Sequence, residues 1–242
     1  VTLADGLESW AAVDDIRSNL ERVHARIARA AERAGRRPDD VLLVAVSKTV
    51  DVERVRQAVA AGVSALGENR VQEAKEKVAV IGHPVPWHLI GHLQTNKVKD
   101  ALALFDVIQS VDRLELAREC DRRARARGRL LDALLEVNVA GETSKGGFAP
   151  DQVSAALEAI APLDHLRLHG LMAIPPAVER AEDARGWFRE LRRLAERHGL
   201  KQVSMGMSSD FEVAIEEGAT IVRVGTAIFG PRPAKPGPGA HG

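Results

Sequence analysis

Lys48 stands two residues past a run of six apolar residues, VLLVAV at 41–46, with only Ser47 between. A short continuous apolar run reads as a strand buried on both faces, as in a parallel sheet. A lysine at the carboxyl end of such a strand lies at the rim of the core. Partial desolvation there eases loss of its proton and leaves a nucleophilic amine, the group that condenses with an aldehyde to form an imine. On this stretch alone, a lysine that snorkels to solvent is an equal alternative. Near the far end of the chain lie Ser208, in GMSS, and Gly225-Thr226, directly after IVRV. Hydroxyls and unpaired backbone N–H groups suit a phosphate dianion, and glycine lets the backbone come close to it. Taken singly, Ser208 is also compatible with an N-cap and Gly225-Thr226 with a turn. Alternation in IVRVG puts Ile221, Arg223 and Gly225 on one face. Arginine is seldom buried unpaired, so Arg223 either meets a ligand acceptor or forms a structural salt bridge, with Glu136 or Glu68 as partners.

Residues so far apart need a scaffold that gathers them. The chain alternates between strand and helix patterns. Apolar residues at Ile16, Leu20, Val23 and Ile27 predict an amphipathic helix over 9–34, stopped at Gly35. The lysine strand follows, then a helix over 52–61 with Asp51 as N-cap. Further strands are predicted at 63–66, 87–90, 106–109, 131–139, 166–171, 202–205 and 220–224. Helices between them run to about 80 and 104, over 112–127 and 150–160, and from about 179 to 198 and on to 217. Eight strands alternating with helices in 242 residues predict a parallel α/β fold, a single (β/α)8 TIM-like barrel with an extra N-terminal helix. A doubly wound open sheet is the alternative. The barrel is expected to fill residues 1–232, and the Pro- and Gly-rich residues 233–242 to form a disordered tail. In such a barrel the active face is the carboxyl end of the strands, and a phosphate site often forms from the loops after strands seven and eight. Lys48, Ser208 and Gly225-Thr226 all fall on that face. An imine-forming amine, a phosphate cup and an arginine together describe pyridoxal 5′-phosphate, or a Schiff-base aldolase acting on a sugar phosphate.

Composition narrows the classes further. Lys and Arg (34) balance Asp and Glu (34), which argues against nucleic acid or an anionic membrane as partner. No apolar run is long enough for a transmembrane helix, and the opening residues lack the pattern of a signal peptide. The single cysteine, Cys120, excludes an intrachain disulfide and a cysteine-rich metal site, and reads as a small helical residue. A reducing cytoplasm is the expected location.

Seven motifs, in order, carry a resemblance: AVSKT around Lys48, GENRVQE at 67–73, WHLIGHLQTNK at 87–97, the Ser144-Lys145-Gly146 loop, HGLMAIPP at 169–176, SMGMSSDFEVAIEEGAT at 204–220 and VRVGTAIFGPR at 222–232. Over roughly residues 10–232 the chain resembles the pyridoxal phosphate homeostasis family, YggS/PROSC type, which shares the barrel of the alanine racemase N-terminal class. The resemblance implies that Lys48 holds the cofactor as an internal aldimine, that Ser208, Gly225 and Thr226 hold its phosphate, and that Arg223 faces the pyridine nitrogen. A cation there cannot accept a proton, which weakens the ring as an electron sink. Asn69, His88 and Met205 are further candidates for lining the pocket. The sequence departs from the family at His92, where proline is expected, and at Thr95, often serine; His92 reads as a solvated loop residue that could add a titratable group at the mouth. Lys97 and Lys145 are candidate second acceptors of the aldehyde.

The implied role is to hold a reactive aldehyde and pass it transiently to apo-enzymes, as a monomer, without robust turnover. The alternative is a weak amino acid racemase or related enzyme. Racemisation needs a second acid/base across from the lysine. In racemases of this class it is a tyrosine brought by a partner subunit's second domain. The chain has no tyrosine, and no stretch of it reads as a second domain. An open cofactor face excludes water poorly and favours exchange over controlled carbanion chemistry.

Overall fold

The computed structural model describes residues 15–231. The expected start of the first helix at 9–14 and the expected disordered tail lie outside the described residues. Eight parallel strands form the core: β1 (Leu42–Val46), β2 (Ala65–Glu68), β3 (Trp87–Leu89), β4 (Val107–Val111), β5 (Leu131–Glu136), β6 (Leu166–Met172), β7 (Gln202–Ser204) and β8 (Ile221–Val224). Each pairs with the next, and β8 returns to β1 with Leu42 opposite Ile221 and Val44 opposite Arg223, so the sheet closes into a barrel. That pairing excludes the open doubly wound sheet.

Alternation along the strands sorts side chains into two layers. Val44, Ala65, Leu134, Met172 and Ile221 pack together inside the barrel. Leu43, Ala45, Leu66, Trp87, Leu89, Ile108, Val203, Val222 and Val224 point outward and meet the helices. With both faces covered, the strands read as near-continuous apolar runs, which is why β1 was legible.

The outer layer comprises α2 (Val52–Ala60), α3 (Val71–Ile81), α4 (Val98–Leu104), α5 (Leu114–Arg125), α6 (Val153–Ile160), α7 (Arg185–Arg197) and α8 (Phe211–Glu216). Among the described residues, β8 is followed by the four-residue α9 (Thr226–Phe229), too short to cover the seam between β8 and β1. The first helix, α1 (Ile16–Arg33), fills that place: it packs against α8, α9 and α2 and buries Ile16, Leu20, Val23 and Ile27. Capping follows the sequence at α2, where the Asp51 carboxylate accepts from the Arg54 N–H at 2.9 Å.

Boundaries differ modestly from expectation. β5 stops at Glu136 rather than 139, and Val137 continues only as a bridge to Phe148. The helix expected from 179 begins as a 3-10 turn at Ala181–Ala184 and becomes α-helical at Arg185. Cys120 is fully buried in α5, where burial pushes its thiol up to about 12, so it is inert packing.

Candidate functional site

At the carboxyl ends of the strands the barrel opens into a cavity of ≈ 610 Å³, within the range of small-molecule sites. Val46, Ile90, Ile174 and Ala227 give it apolar walls; Lys48, Asn69, Ser208, Ser209, Arg223, Gly225 and Thr226 supply its polar groups, with Met207 beside them. These residues come from both ends of the chain because β8 lies against β1. Gly225 permits that approach: a Cβ there would lie 3.2 Å from the Val46 carbonyl oxygen. Elsewhere on the lining, a Cβ on Gly91 would lie 2.4 Å from the Asn69 carbonyl oxygen, so only glycine lets the loop after β3 approach Asn69 so closely.

The Ser208 hydroxyl, from the loop after β7, accepts from the backbone N–H of Gly225 (3.2 Å) and of Ala227 (3.4 Å), in the segment after β8. Hydroxyl and amides thus converge at one corner of the cavity. Ser208 owes its place to a turn fixed by Asp210, whose carboxylate accepts from the Met207 N–H at 2.6 Å.

Arg223 is buried at the base of the cavity. It donates to Ser204 Oγ at 2.6 Å and to the Ala173 carbonyl at 2.8 Å. Burial pulls its guanidinium down to about 10, opposed by Glu136 and Asp210, so it stays a cation at neutral pH. Glu68, the other partner considered for it, is instead paired with Lys77. Ser204 donates onward to Gln109 Oε1 at 2.6 Å, and the Gln109 amide meets His88 Nδ1 at 2.8 Å. Glu136 ends β5; burial raises its carboxyl to about 7, with Asp112 adding to the shift and Arg223, His92 and Lys145 opposing it.

The structure therefore brings Lys48, Asn69, Ser208, Arg223, Gly225 and Thr226 together on one cavity. Two expected residues are not on its lining. Met205 is fully buried among the outward-facing residues, because Ser204 points inward and the next side chain points to the helices. Met207 takes the wall position instead. His88 is 4% exposed and lies beneath the cavity, linked to it through Gln109, Ser204 and Arg223. Sequence reasoning missed Gln109 and Ser204, whose inward direction follows from alternation but whose mutual contact depends on barrel closure. Lys145 sits at the rim, paired with Glu142 and donating to the Ile174 carbonyl at 3.3 Å. Lys97 lines a separate cavity of ≈ 350 Å³ that shares Asn69 with the first. His92, at the mouth, is 62% exposed, and its Nδ1 meets the buried Asp112 carboxylate at 2.8 Å. Among the described residues no cluster of His, Cys, Asp and Glu could hold a metal ion, and no helix is long and apolar enough to cross a membrane.

A closed parallel barrel with a lysine at the end of β1 and a hydroxyl–amide corner after β7 and β8 defines a class. The family model described as alanine racemase, N-terminal domain, matches residues 18–233. An alanine racemase from Clostridium difficile 630 superposes with a TM-score of 0.68 over 92% of this chain and 58% of its own, at 17% identity, a likeness of fold. Within that class the chain belongs to the pyridoxal phosphate homeostasis protein family. The Aquifex aeolicus member is 46% identical over 220 residues, 88% of this chain and 96% of that protein. PipY of Synechococcus elongatus, solved with PLP bound, superposes with a TM-score of 0.77 at 36% identity, over 89% of this chain and all of that one.

Proposed function

We propose that this protein binds pyridoxal 5′-phosphate in the cavity at the end of β1, holds it on Lys48, and serves to store and supply the cofactor rather than to turn over a substrate. The observation that carries the reading is that Lys48 and the Ser208–Gly225–Ala227 corner open onto the same cavity. When bound, the cofactor supplies an aldehyde that primary amines capture and a phosphate dianion.

The donor set fits both groups. Lys48 is the amine on the cavity wall. The Ser208 hydroxyl and the Gly225 and Ala227 amides answer one another only weakly, at 3.2 and 3.4 Å, and can turn to a dianion. Asn69 Oδ1 is buried without a hydrogen-bond partner, as expected of an acceptor that waits for a ligand donor. Arg223 is assigned to the ring nitrogen, where a guanidinium donates and cannot take a proton. Its bonds to Ser204 and Ala173 hold the guanidinium in one orientation, which supports that role. An electron sink weakened in this way, in a chain without tyrosine, supports a carrier over a racemase. The protein acts as a cytoplasmic monomer that meets apo-enzymes transiently.

The test is the visible absorbance of the purified protein beside Lys48→Ala, before and after borohydride. A yellow band in the wild type, removed by reduction and absent from the variant, is expected. A protein that stays colourless with added pyridoxal phosphate refutes the reading. Mixed with an apo-enzyme that needs the cofactor, the yellow protein restores its activity, whereas added amino acids racemise no faster than with the free cofactor.

A further inference from the structure

We propose that α3 positions Lys48: Glu73 and Lys77, one helical turn apart, grip the backbone on either side of it and hold the corner between β1 and α2 in the shape that puts the amine on the cavity wall. The inference rests on the reading of Lys48 as the residue that captures the cofactor.

The two grips are independent hydrogen bonds. On the strand side, Lys77 Nζ donates to the Ser47 carbonyl and to Glu68 Oε1, each at 2.5 Å, and the Ser47 hydroxyl donates to the same Glu68 oxygen at 2.7 Å. The Ser47 carbonyl also accepts from the Val50 N–H at 3.0 Å, so this one oxygen closes the turn around Lys48. On the helix side, the Thr49 N–H donates to Glu73 Oε2 at 3.1 Å. Residues four apart on a helix share a face, which is how one helix reaches both neighbours of Lys48.

The backbone between the grips is strained. Thr49 has φ 62 and is the only non-glycine residue at positive φ among the described residues. A β-branched side chain is disfavoured there and persists only where its surroundings enforce it. The Glu73 carboxylate is such an enforcement, since it accepts the N–H that this conformation presents. The strand-side grip costs desolvation as well: Glu68 is fully buried, Lys77 5% exposed, and burial raises the Glu68 carboxyl despite the ammonium beside it. A buried ion pair seldom adds net stability over apolar residues. What this one gives the site is a fixed direction for the Ser47 carbonyl. Glu73 and Lys77 are thus positioning residues: they act on the cofactor only through Lys48.

The test uses the full-length apo-protein as wild type, Glu73→Ala, Thr49→Gly and the Glu73→Ala/Thr49→Gly pair. Capture of pyridoxal phosphate is followed by stopped-flow absorbance, and the Ser47 and Val50 amide signals by NMR. Glu73 is partly exposed, so its replacement leaves the barrel folded. Losing one charge-assisted hydrogen bond to a strained corner is expected to slow capture about tenfold and to shift both amide signals. Glycine at 49 adopts positive φ without cost, so the pair recovers most of the capture rate and returns the amide signals toward wild type. Wild-type capture by Glu73→Ala would overturn the proposal. So would a pair as slow as the single variant, because Glu73 would then act through its charge and not through the backbone. A wild-type protein that captures no cofactor would refute the function proposed above, and the amide signals would still decide whether α3 holds this corner.

Discussion

At the scale of single residues, His88 shows how a neighbour's protons are dictated from a distance. Arg223 donates to Ser204, so the Ser204 hydroxyl proton goes to Gln109 Oε1, and the Gln109 amide is left to donate to His88 Nδ1. The fixed cation at one end thereby keeps Nδ1 an acceptor and the imidazole neutral. Burial points the same way and takes the His88 pKa to about 4 from 6.5, against a weak opposing pull from Asp106. Between those values the unfolded chain binds a proton that the folded chain refuses, so stability rises with pH across the window. The contribution is complete above about 6.5 and is lost as the pH falls toward 4, by up to about 3 kcal/mol. Urea midpoints measured across this range should show the slope in the wild type and a flatter profile in His88→Gln. Residue types were the legible part of this site: Lys48, Ser208, Arg223, Gly225 and Thr226 are all on the cavity. What was not legible was depth. Inward direction follows from alternation, but whether an inward residue reaches the mouth, like Asn69, or stops beneath it, like His88, depends on where each strand ends in a closed barrel. Met205 is a different case, since counting on from Ser204 places it outward, and Met207 is the methionine on the cavity wall.

At the scale of elements, α3 carries Glu73, Lys75, Glu76 and Lys77 in its sequence, and nothing in that charge pattern shows that Lys77 is buried. Its partner Glu68 lies nine residues earlier at the end of β2, and the two meet because the connection between β2 and α3 folds the helix back over the strand. A sequence shows i to i+4 pairs within a helix, whereas a pair between strand end and helix appears only once the strand–helix packing is known. The pairing has an energetic signature. Lys77→Met would strand the Glu68 carboxylate in the interior and is expected to cost about 3–5 kcal/mol. Replacing both, as Glu68→Leu with Lys77→Met, should recover most of that loss in urea unfolding. Stability restored in the double variant, with cofactor capture still slow, would show that the pair serves its grip on Ser47 rather than the stability of the fold.

At the scale of the whole molecule, the first helix has a larger part than its position in the chain suggests. The sequence reads as a barrel with an extra helix in front, yet the outer ring needs an eighth helix and α9 is too short to be one. α1 takes that place over the seam between β8 and β1, the seam that also brings Gly225 against Val46 at the cavity. Its apolar stripe buries Leu20 and Ile27, each 3% exposed, and Asn19 donates to the Ile228 carbonyl of α9 at 2.9 Å. Ion pairs of Arg26 with Glu212 and Arg33 with Glu216 tie it to α8, but they are partly exposed and contribute little beside the apolar contacts. An appended helix would melt on its own, and a weakened one would leave the barrel unchanged. A helix that closes the ring must unfold together with it. Leu20→Ala is therefore expected to lower the stability of the entire domain by about 2–5 kcal/mol, the cost of a cavity in a packed core. The urea midpoint should fall, the slope stay constant, and helix content and tryptophan emission change together. Trp87, outward-facing on β3 and fully buried, lies among the residues that report on the ring. An early helix transition that leaves its emission untouched would make α1 an accessory. One coincident transition would make α1 part of the barrel that holds Gly225 and Lys48 at the same cavity.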